Sequence, residues 1–353
     1  MSSHGTYTHN PAKIRKLIYG QNFGNPEENR YICSSKCVNK RIGLIMKDFS
    51  VKVIRGILVL LSKLPLRFHY FMGDILSWVA KNVVGYRKYV VLVNLSRSFP
   101  KEKYQYIRRV YNEFYKHFGE IVAEAIWFSG SNYKKLVKSE IVVVTNPEVL
   151  SAAYEASPSV TMLSTHCGNW ELLGGIVGYK TADGNKIRIK ESSINVVYKK
   201  LSNDLSDKVF LLNRTAPLPE GGLECPVESN DILRYALRHR NEKRLYIYPA
   251  DQAPYNYAGR HLVGNFMNQQ TLAMIGSIGL ACKLSHAVMY MKMKRVKRGR
   301  YEMTFIPICD DASKMSQEAI IRKYYDLLEE EIRETPCNWL WTHNRWKFDW
   351  VEQ

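Results

Sequence analysis

Two apolar stretches follow one another near the front of the chain. The first, 51–64 ("VKVIRGILVLLSKL"), is interrupted by Lys52, Arg55 and Lys63 and stopped by Pro65. It is shorter than the roughly 20 mostly apolar residues that a spanning helix needs. In the second, "FHYFMGDILSWVAKNVVG", apolar side chains recur at Phe68, Phe71, Met72, Ile75, Val79 and Val83, the spacing of one helix face. The pattern leaves two readings open. Both helices pack on the body, or both lie in a membrane interface with Trp78, Arg67 and Lys81 at headgroup level. Residues 94–128 then read as a loop ending at Pro100, followed by a long aromatic-rich helix.

From Ser159 the pattern changes to strands alternating with helices. "SVTMLSTH" predicts a short buried strand, Asn169 to Tyr179 a helix and "INVVY" a strand; 201–213 and 231–241 read as helices. "RLYIYPAD" (244–251) is a strand, and a glycine-bearing helix follows over 271–285. "MYMKMKRV" alternates cleanly, with Met289, Met291 and Met293 on one face and Lys292 and Lys294 on the other. After the Arg298-Gly299 turn, Tyr301, Met303 and Phe305 continue that alternation, which predicts an antiparallel hairpin at the sheet edge. A last helix (316–334) precedes the tryptophan-rich end. Such alternation predicts an α/β fold, a mostly parallel sheet flanked by helices. Three regions are expected: a polar, basic leader over 1–45, N-terminal membrane-associating helices over 46–130, and a catalytic region over 131–353 packed with those helices as a single domain.

The formal net charge of +18 points to an acidic partner or an anionic surface. The leader holds seven Lys/Arg and two Asp/Glu, so most of the excess belongs to the rest of the chain. The leader lacks sustained periodicity and any secretory signal, Met46 is a possible start, and the leader is expected to be dispensable. Seven scattered cysteines favour free thiols over a disulfide framework, and Cys33-x-x-x-Cys37 has no second pair to complete a zinc site. No nucleic-acid recognition motif is present, and the aromatics fall at core spacing instead of interleaving with basic residues.

The densest chemistry lies in "STHCGNWELLGG" (164–175). His166 and Glu171 are five apart, and a helix cannot bring such positions to one face. They meet only if His166 ends the strand, Gly168-Asn169 forms the turn, and Glu171 falls in the first helical turn. An imidazole at the C-terminal edge of a strand in an α/β sheet occupies the usual place for a site. A carboxylate on one ring nitrogen would leave the other free as a base. The spacing is not that of a helical zinc motif, and neither a G-x-S-x-G elbow nor a P-loop is present. Cys167 as a nucleophile is a weaker alternative, because neighbours on a strand point to opposite faces.

"STHCGNWELLG" resembles the H-x-x-x-x-D/E block of the lysophospholipid acyltransferase superfamily. In its H-x-G-N-W-E form it is similar to the bacterial lipid A secondary (lauroyl/myristoyl) acyltransferases. Further blocks follow in that family's order: "NLSRSFP" (94–100), "VVYKKLSNDLSDKVFLLNR" (196–214), "YIYPADQAP" (246–254) and "PCNWLWTHNRWK" (336–347). Lys199 stands where the family has an arginine, so a bidentate contact to an anion is not available there.

The resemblance implies a glycerolipid acyltransferase-like fold and transfer of a fatty acyl group from acyl carrier protein to a hydroxyl of a phosphorylated glycolipid, a lipid A precursor. His166 would be the general base and Glu171 its orienter. Lys199, Arg214 and Asp251 would be substrate-binding residues, the candidates for oxyanion donor being the backbone N–H groups at the 169 helix start, Lys199 or Arg214, with no cofactor and no metal. The enzyme would sit on the cytoplasmic face of the inner membrane, anchored or peripheral. Two rivals remain: an O-acyltransferase for an aminolipid or lysophospholipid, and a catalytically silent basic membrane-binding protein.

Overall fold

A computed structural model describes residues 48–185, 187–218, 226–254 and 260–347. The chain divides into two units, 1–52 and 53–353. Of the first, only 48–52 are described, and they are helical. The expectations for residues 1–45, Cys33 and Cys37 among them, lie outside the described residues.

An eight-stranded sheet organises the second unit, as the alternation predicts. Its strands are β1 (Val142–Val144), β2 (Val160–Ser164), β3 (Lys180–Thr181), β4 (Ile194–Tyr198), β5 (Pro226–Glu228), β6 (Leu245–Pro249), β9 (Ala287–Lys297) and β10 (Arg300–Cys309), in the order β3-β1-β10-β9-β2-β6-β4-β5. Every pairing is parallel except β9 with β10. The hairpin expected at the sheet edge therefore lies inside the sheet, where it joins two parallel blocks of opposite direction. Its physical reason is burial: β9 is buried from Ala287 to Met291 on both faces, and only its outer end emerges into solvent. All five β2 residues are buried too, as a strand covered on both sides requires.

Side chains alternate between two cores. Val160, Met162, Ile247, Met289 and Met291 join one, whereas Leu163, Tyr246, Tyr248, Val288 and Tyr290 join the other. The first is closed by Trp127, Phe128 and Leu150, the second by Phe114, Tyr324, Leu328 and the terminal Trp339 and Trp341.

Other departures from the sequence reading have local causes. The expected loop at 94–100 is mostly helix, Lys88–Ser98, and Pro100 lies just past its end. Asn94 of that helix donates to the Trp341 and His343 carbonyls at 3.0 and 2.9 Å, tying it to the C-terminal segment. The 271–285 helix is two elements, strand β8 (Gln269–Met274) and helix Gly276–Lys283. β8 pairs with β7 (Arg260–Phe266) across a two-residue turn in which Met267 and Asn268 both have positive φ, 50° and 61°. Trp170–Gly178 is a 3-10 helix packed closely on helix Asp204–Arg214: a Cβ at Gly174 would stand 1.7 Å from the Arg214 carbonyl oxygen.

Helix Leu66–Asn82 lies against helix Tyr104–Phe128, and small residues set their approach. A Cβ on Gly73 would come within 2.5 Å of the Gly119 carbonyl oxygen. Outside the buried stripe of His69, Gly73 and Ser77, the first helix exposes Phe68, Phe71, Met72, Ile75, Leu76 and Trp78. No helix among the described residues is long and apolar enough to cross a membrane.

Candidate active site

Strands β2 and β6 are parallel neighbours with Ser164 opposite Pro249. The ladder carries on past the strand ends, for the Ala250 amide donates to the Ser164 carbonyl at 3.0 Å. Two residues beyond each last pair stand His166 and Asp251, brought side by side by the register. His166 Nδ1 lies 2.6 Å from Asp251 Oδ1, and the His166 amide donates to Asp251 Oδ2 at 3.0 Å. Trp339 Nε1 adds a third donor at 2.8 Å. Burial on its own would raise the Asp251 carboxyl; the charge of His166 and the donated hydrogen bonds outweigh it and hold the group at about 2.

An ionised carboxylate only accepts, so the proton between the two residues belongs on His166 Nδ1. In the neutral ring Nε2 then carries the lone pair, and the Gln252 side-chain amide nitrogen sits 3.1 Å from it. Trp170 packs its ring edge to face with the imidazole, centroids 5.0 Å apart. The loop that follows Asp251 is braced from the chain terminus, since the Ala253 amide donates to His343 Nε2 at 3.0 Å.

Glu171, expected on His166, is engaged elsewhere. Its two oxygens take Arg214 Nε at 2.8 Å and Arg214 Nη2 at 2.7 Å, and Trp170 Nε1 donates to it at 3.1 Å. The cause lies in the turn. Gly168 has φ +63°, and Asn169 caps the 3-10 helix by accepting the Glu171 amide at 3.1 Å. Glu171 thereby faces helix Asp204–Arg214, while the position next to His166 Nδ1 is filled by Asp251.

The turn is also held from behind. His117 Nε2 lies 3.0 Å from the Gly168 carbonyl, and Asn169 Nδ2 donates to Glu124 at 2.7 Å. Glu124 is fully buried and accepts from Tyr70 and Tyr301 as well, each at 2.8 Å. Cys167 is buried and bridges to Trp339, and desolvation pushes its thiol well above the ordinary range. A thiol so placed is a poor nucleophile.

Of the five residues singled out in the sequence, His166, Lys199 and Arg214 line one cavity of about 700 Å³ at the C-terminal ends of β2, β4 and β6. Leu173, Ile176, Val177, Leu211 and Leu218 supply an apolar wall. Lys199 is exposed directly after β4. Asp251 does not reach the cavity as a substrate contact, because both of its oxygens are taken by His166 and Trp339. Sequence reasoning missed Trp339 and Gln252 as members of the site, although both stand in the quoted blocks. Five bases of the β9–β10 hairpin are ion-paired: Lys292 and Lys294 with Glu334, Arg295 and Arg298 with Glu120, Arg300 with Glu140.

Among the described residues no group of three or more His, Cys, Asp and Glu converges as a metal site. A comparison with curated proteins found no match. The family model described as bacterial lipid A biosynthesis acyltransferase matches residues 43–348.

Proposed function

The chain belongs to the bacterial lipid A biosynthesis acyltransferase family and is an acyltransferase; from that premise we propose that it moves a fatty acyl group from acyl carrier protein to a hydroxyl of a phosphorylated lipid A precursor, with His166 as general base. The observation that carries this is the His166–Asp251 pair at an apolar cavity. An alcohol is a weak nucleophile, and a neutral imidazole with its lone pair on Nε2 can take its proton as the oxygen attacks the thioester carbonyl. The carbon–sulfur bond then breaks, and the thiol leaving group recovers the proton from the imidazolium. Asp251 holds the Nδ1–H tautomer and stabilises the charged ring. The Glu171–Arg214 pair positions the opposite wall, and Lys199 at the rim suits an anionic part of donor or acceptor. A thioester is already activated, so no covalent enzyme intermediate is needed.

The surplus positive charge suits an acidic carrier protein and a phosphorylated acceptor. The exposed apolar side of helix Leu66–Asn82 supports residence on the membrane surface, the inner membrane by this reading. The test is acyl transfer from acyl carrier protein to the phosphorylated precursor by wild type and His166→Ala. A loss of about 10²–10⁴-fold in kcat with retained fold is expected. Undiminished turnover in His166→Ala would overturn the mechanism. Mass spectrometry of lipid A from a deletion strain identifies the acceptor position, and an unchanged lipid A with an altered aminolipid or lysophospholipid would move the enzyme to another acceptor.

A further inference from the structure

Two cavity-lining side chains, Trp170 and Gln252, touch the imidazole of His166, whose side chain is itself only 13% exposed. Trp170 is pinned: its Nε1 donates to Glu171 at 3.1 Å, and Arg214 holds Glu171 in turn. Gln252 meets the reactive atom. Its amide nitrogen lies 3.1 Å from Nε2, and because the ring proton faces Asp251 from Nδ1, the amide donates to the Nε2 lone pair. A neutral ring nitrogen offers a single lone pair. In this arrangement the base is engaged, and a hydroxyl reaches Nε2 only after the amide has moved aside. The backbone on either side of Gln252 is tied down. The Asp251 carboxylate is held by His166 and Trp339, and the Ala253 amide donates to His343 Nε2 at 3.0 Å. Movement is left to the half-buried Gln252 side chain, which turns about its own single bonds.

We infer that Gln252 is a specificity-determining residue: its amide caps the His166 lone pair, yields to the hydroxyl of a bound acceptor and slows access by water. The inference rests on the acyltransfer reading given above. Water and the acceptor both offer an O–H, and either must displace the same hydrogen bond. The acceptor's acyl chains and phosphates make contacts in the cavity and at its rim that offset this loss, and water makes none. Without the cap, His166 takes a proton from water as the water oxygen attacks the thioester carbonyl carbon. The carbon–sulfur bond breaks, the thiol recovers the proton from the imidazolium, and free fatty acid leaves. The cap therefore acts against a side reaction for which base and activated donor are already in place.

Release of dodecanoate from S-dodecanoyl-pantetheine is measured by mass spectrometry, with purified full-length protein in detergent and no acceptor. Wild type is compared with Gln252→Met, which keeps the bulk without a donor, and with Gln252→Asn, one methylene too short to keep the contact. Both variants are expected to release dodecanoate about fivefold to tenfold faster than wild type, the size of one neutral hydrogen bond. The rise should vanish when His166→Ala is added. Thermal unfolding checks each preparation, and two variants of different shape keep the test decisive if one does not fold. A folded variant that hydrolyses no faster than wild type, or a rise that survives His166→Ala, overturns the inference. Acyl transfer to the phosphorylated precursor is assayed on the same preparations. Wild type that acylates the precursor while the variants hydrolyse no faster removes the cap alone. Hydrolysis that rises on uncapping, in an enzyme that acylates no precursor, leaves the cap standing and removes the lipid A acceptor.

Discussion

The indole of Trp339 donates to Asp251 Oδ2 at 2.8 Å, on the same oxygen that takes the His166 backbone amide. With Oδ1 facing His166 Nδ1, the carboxylate has each oxygen committed, and its direction is fixed by the backbone and by a buried ring. That arrangement separates the two carboxylates of the site. Asp251→Asn keeps the shape but loses the charge that stabilises the imidazolium, so kcat should fall by about 10²–10⁴-fold, like His166→Ala. Glu171→Gln leaves the His166–Asp251 contact intact and should cost far less in kcat. Steady-state transfer assays on the three variants give the order, and a Glu171→Gln enzyme as dead as Asp251→Asn would return Glu171 to the histidine.

Glu171 and Arg214 should prove coupled in stability. The pair is bidentate, with Glu171 buried and Arg214 partly exposed. A double-mutant cycle with Glu171→Gln and Arg214→Met should give an interaction energy of about 1–3 kcal/mol by denaturant titration. Additive losses would show that the contact is only nominal.

Cys167→Ala tests for a thiol route. The side chain is buried and its thiol is pushed far up by desolvation. Turnover within about twofold of wild type is expected, with a modest stability loss from the lost buried sulfur atom. A dead Cys167→Ala beside a live His166→Ala would reverse the assignment.

Acid stability should carry the mark of two histidines, His286 buried and His343 half-buried. Burial lowers both His286 and His343 to about 4. The unfolded chain protonates them near pH 6.5, so between about pH 6.5 and 4 it binds more protons than the folded chain. Stability contributed by these groups is therefore whole above pH 6.5 and declines as the pH falls toward 4. Replacing His286 with Gln should flatten the fall of Tm across that window, and an unchanged slope would exclude its contribution.

Surface attachment should depend on the exposed face of helix Leu66–Asn82. Phe71 and Trp78 are exposed by 62% and 59%, so Phe71→Ser with Trp78→Ser should leave Tm within about 2 °C of wild type. Binding to anionic phospholipid vesicles should weaken about tenfold or more. High salt should release the wild type only in part and detergent fully. Equal vesicle binding by the double variant would place the attachment elsewhere.

The parallel sheet, the strand leading to His166 and the turn after it are readable because each is a local pattern of alternation or spacing. Asp251 enters through the resemblance alone, as a substrate-binding residue, and its place beside His166 is not legible there. Its contact with His166 spans 85 positions and depends on strand register, which no short window contains. Glu171 is the partner that sequence spacing favours for the opposite reason, being close along the chain. The β7–β8 hairpin was hidden by a turn in which a methionine takes a left-handed conformation, so the alternation of Gln269–Met274 merged with the helix after it. The interior place of the β9–β10 hairpin depends on which strands flank it, a matter of topology alone.

Because β2 and β6 deliver the histidine and the aspartate from the same rung of one ladder, the oriented pair does not exist before those strands have docked. A nascent or partly opened molecule holds the two groups on separate segments, far apart along the chain. Such a molecule has no oriented imidazole, so under the proposed mechanism it cannot waste an activated thioester on water. Under the proposed mechanism reactivity arrives only with that docking, so the fold serves as its own safety catch.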